Sequence, residues 1–448
     1  MQSKLTCKWL SVMLVLLVAF TFTGLNTAQA DVSVQKLMDK IEALESKVAQ
    51  LESKTGMKEH LSPVKGKEYM PPTGEGLVKT MSDIHMGGYL STLYNVSNIN
   101  PLNNGGASGT NPELVTRAFD RDEASFETSG EFVFEKPVSE SSRAGFRTDW
   151  QFGRTARILN SAMVSGTGAE ADDNLYIQQA YIEYLAPLGN GLDIKVGRFS
   201  TIVGAEVIES AENFNSSRGY LFNLAQPFTH NGILAEYSLN DMVDLKIGFA
   251  NGWDTTVDNN RGKTGLYNIT LHPTDSIDIS NSLLWGPEQT RTVGGLNTDS
   301  NIRGLYDLVV SYSASDALNL IGNFDWGWEE NNTGGVVGNG ASQWIGVMGG
   351  AQYAVNDWLT VAGRLEWFSD NDGVRLGSIS TYTTAERVNL FGMTYTADIK
   401  VADNLLTRLE WRLDKSQDSI FDLSTAAATG TGASSTQSTF GAEMIYQF

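Results

Sequence analysis

The sequence has one cysteine, Cys7, in 448 residues. Cys7 precedes an apolar leader stretch, so the rest of the chain has no thiol chemistry. That excludes disulfides, thiolate metal sites, thiol nucleophiles and covalent haem attachment. Positive charge is also scarce: 32 Lys and Arg stand against 52 Asp and Glu, a formal charge of −20. Nucleic acid is therefore no expected partner, because phosphate binding needs clustered positive charge. After residue 20 there is no apolar run of about 18 residues, the length a membrane-spanning helix requires. The four histidines, at 60, 85, 230 and 272, share no metal-ligand spacing. No Gly-x-Ser-x-Gly, phosphate-loop or dinucleotide fingerprint occurs. No enzyme activity, cofactor or metal is expected. Hydrophobic residues make up only 41% and charged residues 19% of the chain, each below the levels of about 45–50% and about 25% usual in soluble domains. Strands with one apolar and one polar face fit this profile.

The amino end reads as three consecutive pieces. Over 1–30, Lys4 and Lys8 precede an apolar stretch and Ala28-Gln29-Ala30 forms a small-x-small site, the pattern of a cleaved signal peptide. Over 31–55 the apolar positions Val34, Leu37, Ile41, Leu44, Val48 and Leu51 alternate in spacings of 3 and 4. This is a heptad with β-branched residues at each a and Leu at each d. Lys40, Lys47 and Lys54 at g can face Glu45 and Glu52 at e of a parallel neighbour, which predicts a homo-oligomer. The a/d composition by itself favours two chains, but Lys40-Ile41 with Leu44-Glu45 resembles the basic-apolar-x-x-apolar-Glu pattern of short trimeric coils. A homotrimer is expected, and a helix docked on its own domain is the alternative. Residues 56–82, with Gly56, Pro63, Pro71, Pro72 and Gly74, read as a linker.

From 83 to 448 the pattern is repeated alternating segments of about ten residues, the signature of transmembrane β-strands. Clear cases are 145–152, 192–196, 243–249, 359–368 and 405–414. In the last, Leu409, Trp411 and Leu413 oppose Arg408, Glu410, Arg412 and Asp414. The connections alternate strictly. Short turns lie near 137–141, 187–191, 239–241, 272–275, 314–316, 355–357 and 402–404. Longer polar stretches lie near 97–124, 153–174, 200–228, 252–263, 286–303, 329–341, 370–386 and 415–437. Seven turns and eight loops require sixteen strands. An antiparallel transmembrane barrel with short periplasmic turns and long extracellular loops produces this alternation, and a barrel of this size leaves an aqueous lumen. Outer-membrane lipid is the expected surroundings. Trp150, Tyr184, Trp285, Trp411, Tyr446 and Phe448 are candidates for its interfacial girdles. Phe440, Ala442, Met444, Tyr446 and Phe448 alternate to the last residue and resemble the terminal signal presented to the barrel-insertion machinery.

The segment 197–254 carries a family resemblance. Gly197-Arg198-Phe199, Gly204-Ala205-Glu206, Asn213-Phe214-Asn215-Ser216-Ser217-Arg218, Leu221-Phe222, Gln226-Pro227-Phe228-Thr229-His230-Asn231-Gly232 and Asn251-Gly252-Trp253-Asp254 are similar to the OmpL-like β-barrel porins. The chain departs from the pattern at Asn231, where Thr or Ser is expected, and in its coiled coil. The resemblance implies an outer-membrane channel and leaves its substrate open.

Loop 200–228 holds Ile202, Val203, Val207, Ile208, Phe214, Tyr220, Leu221, Phe222 and Leu224, too many apolar side chains for a solvated tip. It is predicted to fold into the lumen and bring Glu206, Glu209 and Glu212 to a constriction, with Arg198 and Arg218 beside them. Carboxylates in a narrow, weakly screened passage favour cations. Arg147, Asp149, Arg364, Glu366, Arg408, Glu410 and Arg412 have the parity of a pore wall. Equally, Glu209, Glu212 and Arg218 can serve only to tie the loop down, and the wall arginines can pair with Asp149, Glu366 and Glu410. Tyr181, Trp358 and Phe368 have the lumen parity a saccharide track needs. Asp370-Asn371-Asp372-Gly373 lacks Glu at the twelfth position of a calcium loop and reads as a turn. The expected function is passive diffusion of small hydrophilic solutes with mild cation preference. The alternative is a plugged structural or adhesive barrel with the coil as periplasmic spacer.

Overall fold

The computed structural model describes residues 83–98, 126–163, 174–289, 300–333, 340–376, 387–421 and 434–448, with short pieces at 113–114, 116–121, 292–293, 296–297 and 336–337. The signal peptide, coiled coil and linker read over 1–30, 31–55 and 56–82 lie outside the described residues.

Sixteen antiparallel strands close into one barrel. In chain order they are β1 (His85–Ser97), β2 (Phe126–Lys136), β3 (Ala144–Gly153), β4 (Leu175–Ala186), β5 (Leu192–Ser200), β6 (Thr229–Asn240), β7 (Val243–Ala250), β8 (Thr264–Thr274), β9 (Ile277–Pro287), β10 (Ile302–Ser315), β11 (Leu318–Glu329), β12 (Ser342–Asn356), β13 (Leu359–Asp370), β14 (Val388–Ala402), β15 (Leu405–Ser416) and β16 (Thr436–Gln447). Each pairs with its neighbours in sequence, and β1 closes the ring on β16 from Tyr89 opposite Gln447 to Ser97 opposite Thr439.

The alternation of the sequence sets which face each side chain takes. Ile182, Val196, Ile247, Leu365 and Phe391 point outward and are exposed, as are Phe440, Met444, Tyr446 and Phe448 of the last strand. A continuous exposed apolar surface is what a lipid-facing band requires. Polar side chains turn inward, so the usual arrangement of a soluble protein is inverted. Tyr184, Trp285 and Trp411, read as girdle aromatics, are on the exposed outer face.

All seven short turns and all eight long connections fall where the sequence reading put them. The turns are built by side chains that cap their own backbone. Asn356 Oδ1 accepts from Trp358 N at 3.0 Å and Leu359 N at 2.9 Å, and Ser315 Oγ accepts from Leu318 N at 3.1 Å. Gly189 has φ +57, and a Cβ there would sit 2.1 Å from the Tyr237 hydroxyl, so glycine is favoured in this turn.

Two features, one in a long connection and one in a strand, exceed the reading. The stretch expected to be a polar loop after β3 begins with a helix, α1 (Arg154–Met163). Its buried Ala156, Ile158 and Leu159 pack with Phe119, Tyr176, Ile208, Phe222 and Phe228, and Arg154 is 2.9 Å from Glu127. The second is a bulge on β4, where the pairing slips between Asp149 and Trp150. It turns Gln178 into the barrel beside Gln179.

Candidate lumen constriction

Residues 201–228, the connection from β5 to β6, run inside the barrel and touch both sides of its inner wall. They contain one 3-10 turn, Ser210–Glu212, and one π-turn, Leu221–Ala225. An irregular segment enclosed by a barrel must find partners for its own amides and carbonyls. The inner faces of β13 to β16 supply them.

On the donor side, Arg364 gives a hydrogen bond to the Ser217 carbonyl at 2.6 Å, Arg412 to the Arg218 carbonyl at 2.7 Å and Arg408 to the Asn213 carbonyl at 2.8 Å. On the acceptor side, Glu410 receives Ser216 N at 2.7 Å and Ser217 N at 3.1 Å, and Glu366 receives Tyr220 N at 2.5 Å. Glu443 receives the hydroxyls of Ser210 at 2.8 Å and Ser216 at 2.6 Å. Alternation on one strand face spaces these side chains two residues apart, so each strand presents a column of charge to the loop. The columns also pair with each other: Arg412 lies 3.1 Å from Glu366 and 2.8 Å from Asp414, and Arg408 lies 3.0 Å from Asp398.

The opposite wall is apolar. Phe199, Leu234, Leu266, Leu284 and Leu305, inward on β5, β6, β8, β9 and β10, form a buried cluster around Val203. The π-turn packs on a third surface, where Tyr220, Leu221 and Leu224 meet Trp344, Met348, Phe368 and Leu390. The loop is thus held by directional bonds on one side and by apolar packing on the other.

Residues 83–448 match the family described as "Putative beta-barrel porin-2, OmpL-like". The chain belongs to this family. Among solved structures it is similar to the outer membrane channel DcaP of Acinetobacter baumannii, with 13% identity and a TM-score of 0.51 over 82% of this chain and 97% of that one. It is also similar to the anion-selective porin from Comamonas acidovorans, with 12% identity and a TM-score of 0.50 over 82% and 99% of the two chains. At these identities the likeness is one of fold. No curated protein sequence matches. The chain is a porin-type outer-membrane barrel.

Within this porin the predicted constriction residues separate. Glu206 reaches Arg364 at 2.5 Å and accepts Gly219 N at 2.6 Å. Glu209 accepts from Gln178 of β4 at 2.6 Å, a contact the β4 bulge creates. Glu212 is exposed. Arg218 is buried over the Phe119 ring and donates to the Ile208 carbonyl, as a residue that ties the loop. Arg198 does not join them. It has the outward parity of Val196, donates to the Ile177 carbonyl at 2.8 Å and to Thr256, and covers the Tyr176 ring. The strand's own alternation carried that information, since Ile194 and Val196 share its face.

On the wall, Arg147 pairs with Asp149 at 2.9 Å and with Glu135 at 3.5 Å, away from the loop's anchor. Arg364 and Glu366 are 3.5 Å apart. Glu410 was expected to pair with a wall arginine but instead serves loop amides and the Thr396 hydroxyl at 2.8 Å. Glu443 was missed by the reading, because the terminal strand drew notice to its outward aromatics. Phe368 is fully buried in the π-turn's packing and is no saccharide platform. Asp370 accepts the backbone N–H groups of Val374, Arg375 and Leu376 at 3.0, 2.8 and 2.8 Å, the turn reading of that motif. His230 bonds Thr201 at 3.0 Å and the Gly252 carbonyl at 3.2 Å.

Proposed function

We propose that this porin passes small hydrophilic solutes by passive diffusion with a mild preference for cations, and that loop 201–228 sets its narrowest section. The observation that carries the reading is the set of charge-assisted bonds from the loop backbone to Arg364, Glu366, Arg408, Glu410 and Arg412. They hold the loop across the lumen instead of leaving it at the rim. Cation preference follows from compensation. The wall arginines meet carboxylates, whereas Glu209 and Glu212 form no ion pair among the described residues. Uncompensated carboxylates in a confined, weakly screened passage attract cations.

The coiled coil of Val34, Leu37, Ile41, Leu44, Val48 and Leu51 is proposed to lie in the periplasm and join three barrels, after removal of the signal peptide and ahead of the 56–82 linker. The last strand, ending at Phe448, is proposed to engage the insertion machinery. The number of loop attachments also favours a second reading, a plugged structural barrel.

Single-channel recording of the full chain in a planar bilayer under a salt gradient tests the reading. The expected result is openings in steps of three with a cation-selective reversal potential, moved toward zero in the double variant E209Q/E212Q. A folded barrel that stays silent would favour the plugged reading, and an anion-selective one would overturn the assignment of the carboxylates.

A further inference from the structure

At the long-loop end of the barrel, beyond the loop's anchor, two guanidinium groups meet one indole. Arg303 of β10 and Arg375 of the connection after β13 each lie 5.1 Å from the Trp253 ring, and Arg375 lies 5.3 Å from Trp344 as well. The indoles are fixed. Trp344 donates from Nε1 to the Ala225 carbonyl at 3.2 Å, Trp253 N donates to Glu288 at 2.7 Å, and the two rings stand edge to face 6.1 Å apart.

The two arginines differ in how their charge is met. Arg303 is paired to Glu329 at 2.8 Å. Arg375 donates from Nε to the Leu224 carbonyl and, among the described residues, has no ion-pair partner and no hydrogen bond from either Nη group. Three carboxylates act on it through space, Glu329, Asp370 and Asp254. Asp254 accepts Phe228 N and Thr229 N at 2.6 and 3.0 Å, Glu329 accepts from Arg303, and Asp370 accepts three backbone N–H groups. Burial and the neighbouring Arg303 push the Arg375 guanidinium down to about 10.

We infer that Arg375, steered by Arg303 and braced by Trp253 and Trp344, is a binding site for a small free oxyanion, a carboxylate or phosphate group on a solute entering the lumen. A guanidinium offers a planar fork of donors that matches such a group in a bidentate manner. Its stem is already ordered by two rings and a carbonyl, so little conformational freedom is lost on binding. Arg303 and Trp344 occupy inward positions of β10 and β12, which favours a solute over a lipid headgroup. The site lies ahead of the acidic narrowing, so anion binding here and cation preference there are separate properties.

Isothermal titration of the full chain in detergent with sodium phosphate, and then with sodium acetate, at low ionic strength tests the inference. The expected result is one saturable site that both anions share. In R375Q affinity falls at least about tenfold, as for loss of a hydrogen bond to a charged group. R375K keeps the charge but loses the fork and lies between the two. R143Q, at the short-turn end where Arg143 bonds the Leu185 carbonyl, binds as the unmodified chain does. Equal affinity in R375Q, equal weakening in R143Q, or no saturable binding overturns the proposal. Binding is read without current, so a silent barrel leaves this test intact.

Discussion

The two walls that grip loop 201–228 differ in kind. On β13 to β16 the grip is a lattice of arginines and carboxylates bonded to the loop backbone, with Arg412 and Asp414 fully buried. On β5 to β10 it is a row of leucines, where Leu266, Leu284 and Leu305 stand directly opposite one another across β8, β9 and β10. Apolar packing is non-directional and tolerates sliding, whereas a buried charged hydrogen bond is satisfied at one geometry only. The apolar wall therefore holds the loop down, and the charged wall fixes its position along the lumen.

The comparison breaks first at Arg412. R412A removes one donor each from Glu366, Asp414 and the Arg218 carbonyl, and a broken buried ion pair costs about 3–5 kcal/mol. A lower urea midpoint is expected, with new proteolytic cuts within 201–228. A loop that stays protected would mean that the apolar side alone positions it.

L266A tests the other wall. Leu266 is fully buried, and such truncations cost about 2–5 kcal/mol. The urea midpoint should fall, yet the loop should resist protease, because its directional bonds are intact. Cutting within 201–228 in L266A as well would erase the distinction between the two walls.

The smallest effect concerns the mouth, where Trp253 packs between the apolar wall and the cluster around the π-turn. Burial pushes its partner Glu288 up to about 7 from an ordinary 4.5. A group whose folded pKa is raised holds its proton more tightly in the folded state, so stability falls as pH rises from 4.5 to 7. Protection of the amides over 251–263, taken relative to the intrinsic exchange rate at each pH, should fall several-fold across that window. In E288Q this loss of protection should vanish. A dependence that persists in E288Q would assign it to another group.

The barrel was legible in the sequence because its signals are local. Alternation in 243–249 or 405–414 assigns a face to each residue from its two neighbours, and Asn356 or Ser315 closes a turn through its own backbone. Helix α1 was not legible, because its apolar residues are few and their partners, Phe119 and Phe228, come from distant connections. The site was legible in part. The apolar content of 200–228 pointed into the lumen, and the parity of Arg364, Arg408 and Arg412 pointed at the loop. Their partners were not readable.

The sequence by itself determined sixteen strands, their up-and-down order and which residues face the lumen, since period-two alternation and turn chemistry act over a few residues. Only the tertiary structure decided which carboxylate each arginine meets. Glu206 and Arg364 are 158 positions apart, and Glu209 reaches Gln178 only because a bulge on β4 turns that residue inward. Such pairings depend on where the closed ring places one strand against a loop that leaves another, and strand periodicity carries no record of that distance.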